Sequence, residues 1–145
     1  MTVDLMHITV DSSRVKTALD NLESAAHDLS PVMSDIAATL WERVGERFET
    51  RHDPVGDLWE DKKSGEPSAL YEHGDLIDSL SRRSNATHAM VGFGQPYAAY
   101  HEFGTVKMFR RGLLFADPES GALSPDDEEA ILDRVHEHLL HAIER

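Results

Sequence analysis

Apolar and polar positions alternate near the start of the chain. Met6, Ile8 and Val10 fall on one side and His7 and Thr9 on the other, which predicts a short half-buried strand over residues 6–10. The period then changes. Val15, Leu19, Leu22, Ala26 and Leu29 recur at intervals of four, three, four and three, a narrow seam on one helix face that Asp11-Ser12-Ser13 can cap. Ser30-Pro31 closes that helix and opens another, with Ser30 as N-cap and Pro31 at the first helical position. Met33, Ile36, Ala37, Leu40, Val44 and Phe48 mark this second amphipathic helix to about residue 50.

Periodicity stops over residues 50–72. Asp53-Pro54-Val55-Gly56-Asp57 is turn chemistry, and Asp61 to Pro67 is polar, with Trp59 as the one large anchor between them. A loop of this length in a small domain is usually functional or mobile, so residues 50–72 are expected to project. Gly74 to Leu80 suits a short helical turn. Residues 79–84 and 86–93 can pair as a hairpin around Ser84-Asn85, with Thr87, Ala89, Val91 and Phe93 on one face. The last helix is well signalled. Ser124 is its N-cap, Pro125 its first residue, and Asp127 completes an S-x-x-D capping box. Ile131, Val135, Leu139 and Ile143 form its expected buried stripe.

Between hairpin and last helix lies the densest run in the chain, Tyr97-Ala98-Ala99-Tyr100-His101-Glu102-Phe103-Gly104-Thr105. It fits no catalytic template. Tyr97, Tyr100 and Phe103 are expected to anchor it in the core, and Gly104 to permit its corner.

Charge narrows the functions. The chain has 145 residues, suited to one domain over 1–145, and its 14 basic and 27 acidic residues give a net charge of −13. Tight binding to nucleic acid or anionic membrane is disfavoured, because both need Lys and Arg to replace counterions. With no cysteine there is no disulfide and no thiolate metal site. No leader or membrane-spanning run is seen, so a soluble protein made in the cytoplasm is expected.

Catalytic and metal templates fail one by one. His136, His138 and His141 sit on the last helix, but H-E-x-x-H would need a histidine where Leu140 stands. Histidines at a helix end also suit its negative dipole. Gly92-Phe93-Gly94 begins G-x-G-x-x-G, yet Tyr97 holds the last position and Pro96 intervenes. His101 and Glu102 diverge by about 100° on a helix and form no dyad. No enzyme, cofactor or metal is expected. Lys107, Arg110 and Arg111, beside Met108, Phe109 and Phe115, form the basic cluster after the hairpin. With Trp59 they are the candidate contacts for a subunit or partner.

Taken in order, these segments resemble the phage virion morphogenesis family, the tail-completion proteins of Mu-like and related temperate phages. The resemblance rests on Asp53-Pro54-Val55-Gly56 with Trp59, Gly74-Asp75-Leu76, Val91-Gly92, the Tyr97-Ala98 turn, the Phe103-Gly104 corner and the run from Leu123 to Ile131. The corner is also similar to that of neck proteins in lambdoid phages. Arg110-Arg111-Gly112 departs from the family's usual arginine, proline and aromatic.

The resemblance implies an α+β fold: a small antiparallel sheet packed by long N-terminal and C-terminal helices, with the 50–72 loop projecting. It implies a structural protein at the head-proximal end of a phage or prophage tail, enabling head–tail joining. Its partners would be other tail and head-connector proteins and copies of itself, in a ring commonly of six. The rival reading is a cytosolic interaction module, or a metal-dependent enzyme built on the histidine-rich last helix.

Overall fold

The computed structural model describes residues 13–60, 75–105 and 110–144. The strand expected over 6–10 and most of the 50–72 loop lie outside these residues. The fold is α+β. In chain order the elements are α1 (Ser13–His27), α2 (Ser30–Thr50), α3 (Asp75–Asp78), β1 (Leu80–Ser84), β2 (Ala89–Phe93), α4 (Ala98–Phe103) and α5 (Pro125–Glu144).

Helix α2 is the spine. It packs on β1 and β2 and on α5, while α1 packs on α5. Val44 and Phe48 of α2 meet Trp59, Leu76, Leu80 and Leu113 in the main core. The Phe48 ring takes edge-on contacts from Trp59 and Phe93, at centroid distances of 6.2 and 6.0 Å. The hairpin matches its sequence pattern. Strands β1 and β2 pair antiparallel with Leu80 opposite Phe93 and Arg82 opposite Val91. Asn85 closes the turn by accepting from the Thr87 and His88 backbone N–H groups at 2.9 and 2.8 Å. Ala89, Val91 and Phe93 are half-buried, and Met90 points outward.

Two expectations need correction. On α1 the seam residues Val15 and Leu19 are exposed, so α1 covers α5 only in part. For the same reason Ile131, Val135 and Leu139 are only half-buried and Ile143 is exposed. Ser30 is the first residue of α2 rather than its cap, and its N–H donates to the Asp28 carboxylate at 3.1 Å. That bond holds the Asp28 carboxyl below its usual range.

At α5 the Ser124 hydroxyl accepts the Asp127 N–H at 3.1 Å, as the capping box requires. The Asp127 carboxylate does not reach back to Ser124. It is buried and takes Arg47 on both oxygens at 2.6 Å and Arg43 at 2.7 Å. Arg47 also donates to the Leu113 carbonyl, so one buried ion pair ties α2, the start of α5 and the 110–116 strap together.

Candidate docking site

The first part of the expected 50–72 loop is a pinned turn. The Asp53 carboxylate accepts the Val55 and Asp57 N–H groups at 3.0 and 2.9 Å, Gly56 supplies a φ of +95°, and His52 bridges Leu58. The turn delivers Trp59 inward. Only 4% of Trp59 is exposed, and its indole N–H donates to the Gly112 carbonyl at 3.0 Å. Trp59 is therefore a core residue, not a surface anchor, because the hollow between α2 and the strap is large enough to take an indole.

The strap 110–116 folds back over α4. Gly104 makes this return feasible. Its φ is +74°, and a Cβ there would lie 3.0 Å from the Arg110 backbone nitrogen. Beneath the strap sits Glu102, 4% exposed. Its carboxylate accepts three consecutive backbone N–H groups, Leu113 at 2.8 Å, Leu114 at 3.0 Å and Phe115 at 2.9 Å. Successive N–H groups converging on one anion form a nest, here filled by the chain's own side chain. Arg110 closes the ring of bonds. It donates to the Glu102 carbonyl at 2.6 Å, to the Glu102 carboxylate at 3.3 Å and to the Phe115 carbonyl at 2.6 Å. Arg111 is 8% exposed; its N–H donates to the His101 carbonyl at 2.7 Å and its guanidinium to the Glu60 carbonyl at 3.3 Å.

The sequence reading thus placed these groups on the wrong sides of the surface. Arg110 and Arg111, taken as docking residues, hold the clasp. Tyr97, Tyr100 and Phe103, taken as core anchors, are 37%, 58% and 55% exposed. The physical reason is that a six-residue helix has one inward position to spare over this strap, and Glu102 fills it. Lys107 lies outside the described residues. Phe103 edges a groove of about 290 Å³ that also runs past Phe93, Ala99, Leu114 and Phe115. Tyr97 meets the His101 ring edge-on at 6.2 Å. The result is three aromatic side chains displayed on a corner whose backbone is locked from beneath. The cue that sequence reasoning missed was a lone acid inside an aromatic run, followed within ten residues by two arginines.

His101 adds a titratable group to the corner. Burial, then the nearby Arg111 charge, holds its pKa below the usual histidine value, and its Nδ1 is buried without a hydrogen-bond partner among the described residues. The native corner therefore disfavours the charged imidazolium of His101, while the unfolded chain protonates it below about pH 6.5. Stability contributed by this site is full above that pH and is lost as pH falls toward the native pKa. Melting temperatures measured from pH 7.5 to 5.5 should fall, and His101→Gln should flatten part of that slope. An identical slope in the variant would place the pH dependence elsewhere.

Among the described residues, no three histidine or acidic side chains are grouped so as to hold a metal ion, and no helix is long and apolar enough to cross a membrane. Residues 10–140 match the Phage virion morphogenesis family. The chain is 28% identical over 128 residues to the Mu-like prophage FluMu G protein 2 of Haemophilus influenzae, spanning 88% of this chain and 91% of the relative. It is 30% identical over 152 aligned positions to the putative capsid assembly protein G of Escherichia phage Mu, spanning 95% of this chain and 96% of that protein. No solved structure matches.

Proposed function

The chain belongs to the phage virion morphogenesis family, and we propose that within it this protein completes the head-proximal end of a tail and enables the head to join. It acts there as a ring of copies, through which DNA passes. The observation that carries this reading is the clasped corner. Tyr97, just before α4, and Tyr100 and Phe103 on it stand exposed, and Glu102 and Arg110 fix that short helix in place. Exposed aromatics on a preorganised surface are what a protein interface uses for its anchors, and they have no place in catalysis here. The partner they fit is another tail or head-connector protein.

Two further facts support the reading. The name of the phage Mu relative assigns that protein to capsid assembly. The net charge of −13 suits a ring that must pass DNA without holding it, since acidic groups facing a lumen repel phosphate. The metal-dependent alternative gains no support from the last helix, where His136 and His141 are exposed and the described residues offer no ligand cluster.

The test is removal of the gene from its phage or prophage. Lysates should contain filled heads and complete tail tubes that remain apart, visible by electron microscopy, with infectious titre lost. Joined virions in those lysates would overturn the assignment.

A further inference from the structure

Helix α1 keeps an apolar ridge in the open. Val15 and Leu19, one turn apart, are 44% and 56% exposed, and residues 13–17 are exposed throughout. Arg14 and Lys16 stand about 100° to either side of Val15 on the helix, so a cation flanks the ridge on each side. The first turn of α1 holds no acid. Asp20 and Glu23 come in the turns beyond, and Glu23 meets His27 at 3.7 Å. Cations at a helix N-terminus oppose the helix dipole, and α5 does the reverse by placing Asp126, Asp127 and Glu128 there. Taken alone, this end of α1 therefore has an uncovered apolar ridge and charges of the unfavourable sign.

A groove of about 520 Å³, where α2 meets α3 and β1, has the matching form. Trp41, Ile77 and Leu80 supply its apolar walls. Gly45 lies between them, and a Cβ there would meet nothing within 4 Å, so an incoming side chain has room. The indole is held in place: its N–H donates to the Leu80 carbonyl at 3.3 Å, and the Arg82 guanidinium lies 5.2 Å from its ring. Glu42, Glu46 and Glu49 follow one face of α2 at intervals of four and three, all exposed, and exposed Asp78 adds a fourth acid. Like charges at that spacing repel one another along a helix. Among the described residues, no basic side chain lines the groove. Ridge and groove thus match in shape, apolar surface and charge. They share no residue, so a contact between them runs head to tail. Such a contact repeats around a ring instead of ending at a pair. It also sets opposite charges together between copies that each carry −13.

We propose that the Val15–Leu19 ridge of one copy seats in the Trp41 groove of the next, with Leu19 over Gly45 and Arg14 and Lys16 against the acids of the rim. The contact rests on the ring of copies named above but is tested without a phage. The chain has no cysteine, so each introduced thiol reports on one surface. Leu19→Cys and Gly45→Cys should both melt near the wild-type temperature, because Leu19 is exposed and Gly45 has room. Mixed and oxidised with diamide at about 0.15 M salt, the two variants should form a disulfide-linked heterodimer. It should form at least tenfold faster than the one from Leu19→Cys with Met90→Cys, whose thiol sits at a 60%-exposed position on the hairpin. The chain carrying both Leu19→Cys and Gly45→Cys should give a ladder of dimers, trimers and larger species that reductant collapses. Adding Arg14→Glu/Lys16→Glu to the Leu19→Cys chain should slow the heterodimer at least tenfold. Glu42→Lys/Glu46→Lys in the Gly45→Cys chain should restore it, since the swapped charges again face opposite signs. Equal rates for the Gly45 and Met90 partners overturn the contact, and so does a rate that charge reversal leaves unchanged. Leu19→Cys alone dimerising as fast as the mixture would make the ridge a two-fold contact and overturns the head-to-tail arrangement. In each of these cases the tail-completion reading stands. It falls only with joined virions in the gene-deleted lysate, which leaves the solution contact untouched.

Discussion

Glu102→Ala is expected to be the most destabilising single substitution in the α4 corner, lowering the melting temperature by on the order of 10–20 °C. The carboxylate carries the Leu113, Leu114 and Phe115 N–H groups and part of the Arg110 charge. Its removal leaves three inward-facing donors without an acceptor and a half-buried guanidinium without its counter-charge. Stranding one partner of a buried ionic network costs roughly 3–5 kcal/mol, and each unsatisfied buried donor about 1–3 kcal/mol on its own. In a domain of this size each kcal/mol corresponds to a few degrees. Glu102→Gln discriminates further. It keeps the volume, but its amide offers one acceptor oxygen and turns an NH₂ toward backbone donors, so it should lose nearly as much. Thermal denaturation of both variants beside Phe103→Ala is the measurement. Phe103 is more than half exposed, and its truncation should shift the midpoint by no more than a degree or two. Should Phe103→Ala prove the costlier change, the corner would be packed from outside, and the clasp would be a bystander.

The elements were legible in the sequence wherever periodicity and turn chemistry agreed. Ser84-Asn85 between two alternating runs gave the hairpin, and the Ser124-Pro125 pair gave the start of α5 within a residue. Periodicity says which residues share a face, but it does not say whether another element covers that face. Val15, Leu19 and Ile143 follow the helical pattern and are exposed all the same. Buried charge was harder still. Arg47 falls three residues after Val44 and one before Phe48, on the inner face of α2, and its partner Asp127 is 80 residues away. Nothing local announces such a pair. Glu102 and Arg110 are closer, but their bond depends on the strap doubling back at Gly104, which spacing alone does not reveal. Trp59 was read as a surface anchor because its neighbours are polar. Those neighbours form the turn that carries it into the core.

The same inversion sets the second large expectation. If the corner docks a neighbouring virion protein, then Tyr97→Ala/Tyr100→Ala/Phe103→Ala should abolish joining while the protein remains folded. Interface aromatics at the centre of a contact are each worth about 2 kcal/mol or more when truncated. Three together, even without full additivity, weaken a complex by roughly a thousandfold. The fold should absorb the change, because the backbone of α4 is held by Glu102, Arg110 and Gly104, not by these rings. Complementation of a gene-deleted phage with the triple variant gives the readout: infectious titre down by at least two orders of magnitude, separated heads and tails by electron microscopy, and a midpoint within a few degrees of wild type. The comparison with Glu102→Ala is what makes the result decisive. That variant should lose both stability and joining, whereas the aromatic variant should lose joining alone. Normal titre from the triple variant would show that the partner contacts another face of the protein, and that the exposed rings of Tyr97, Tyr100 and Phe103 serve neither fold nor docking.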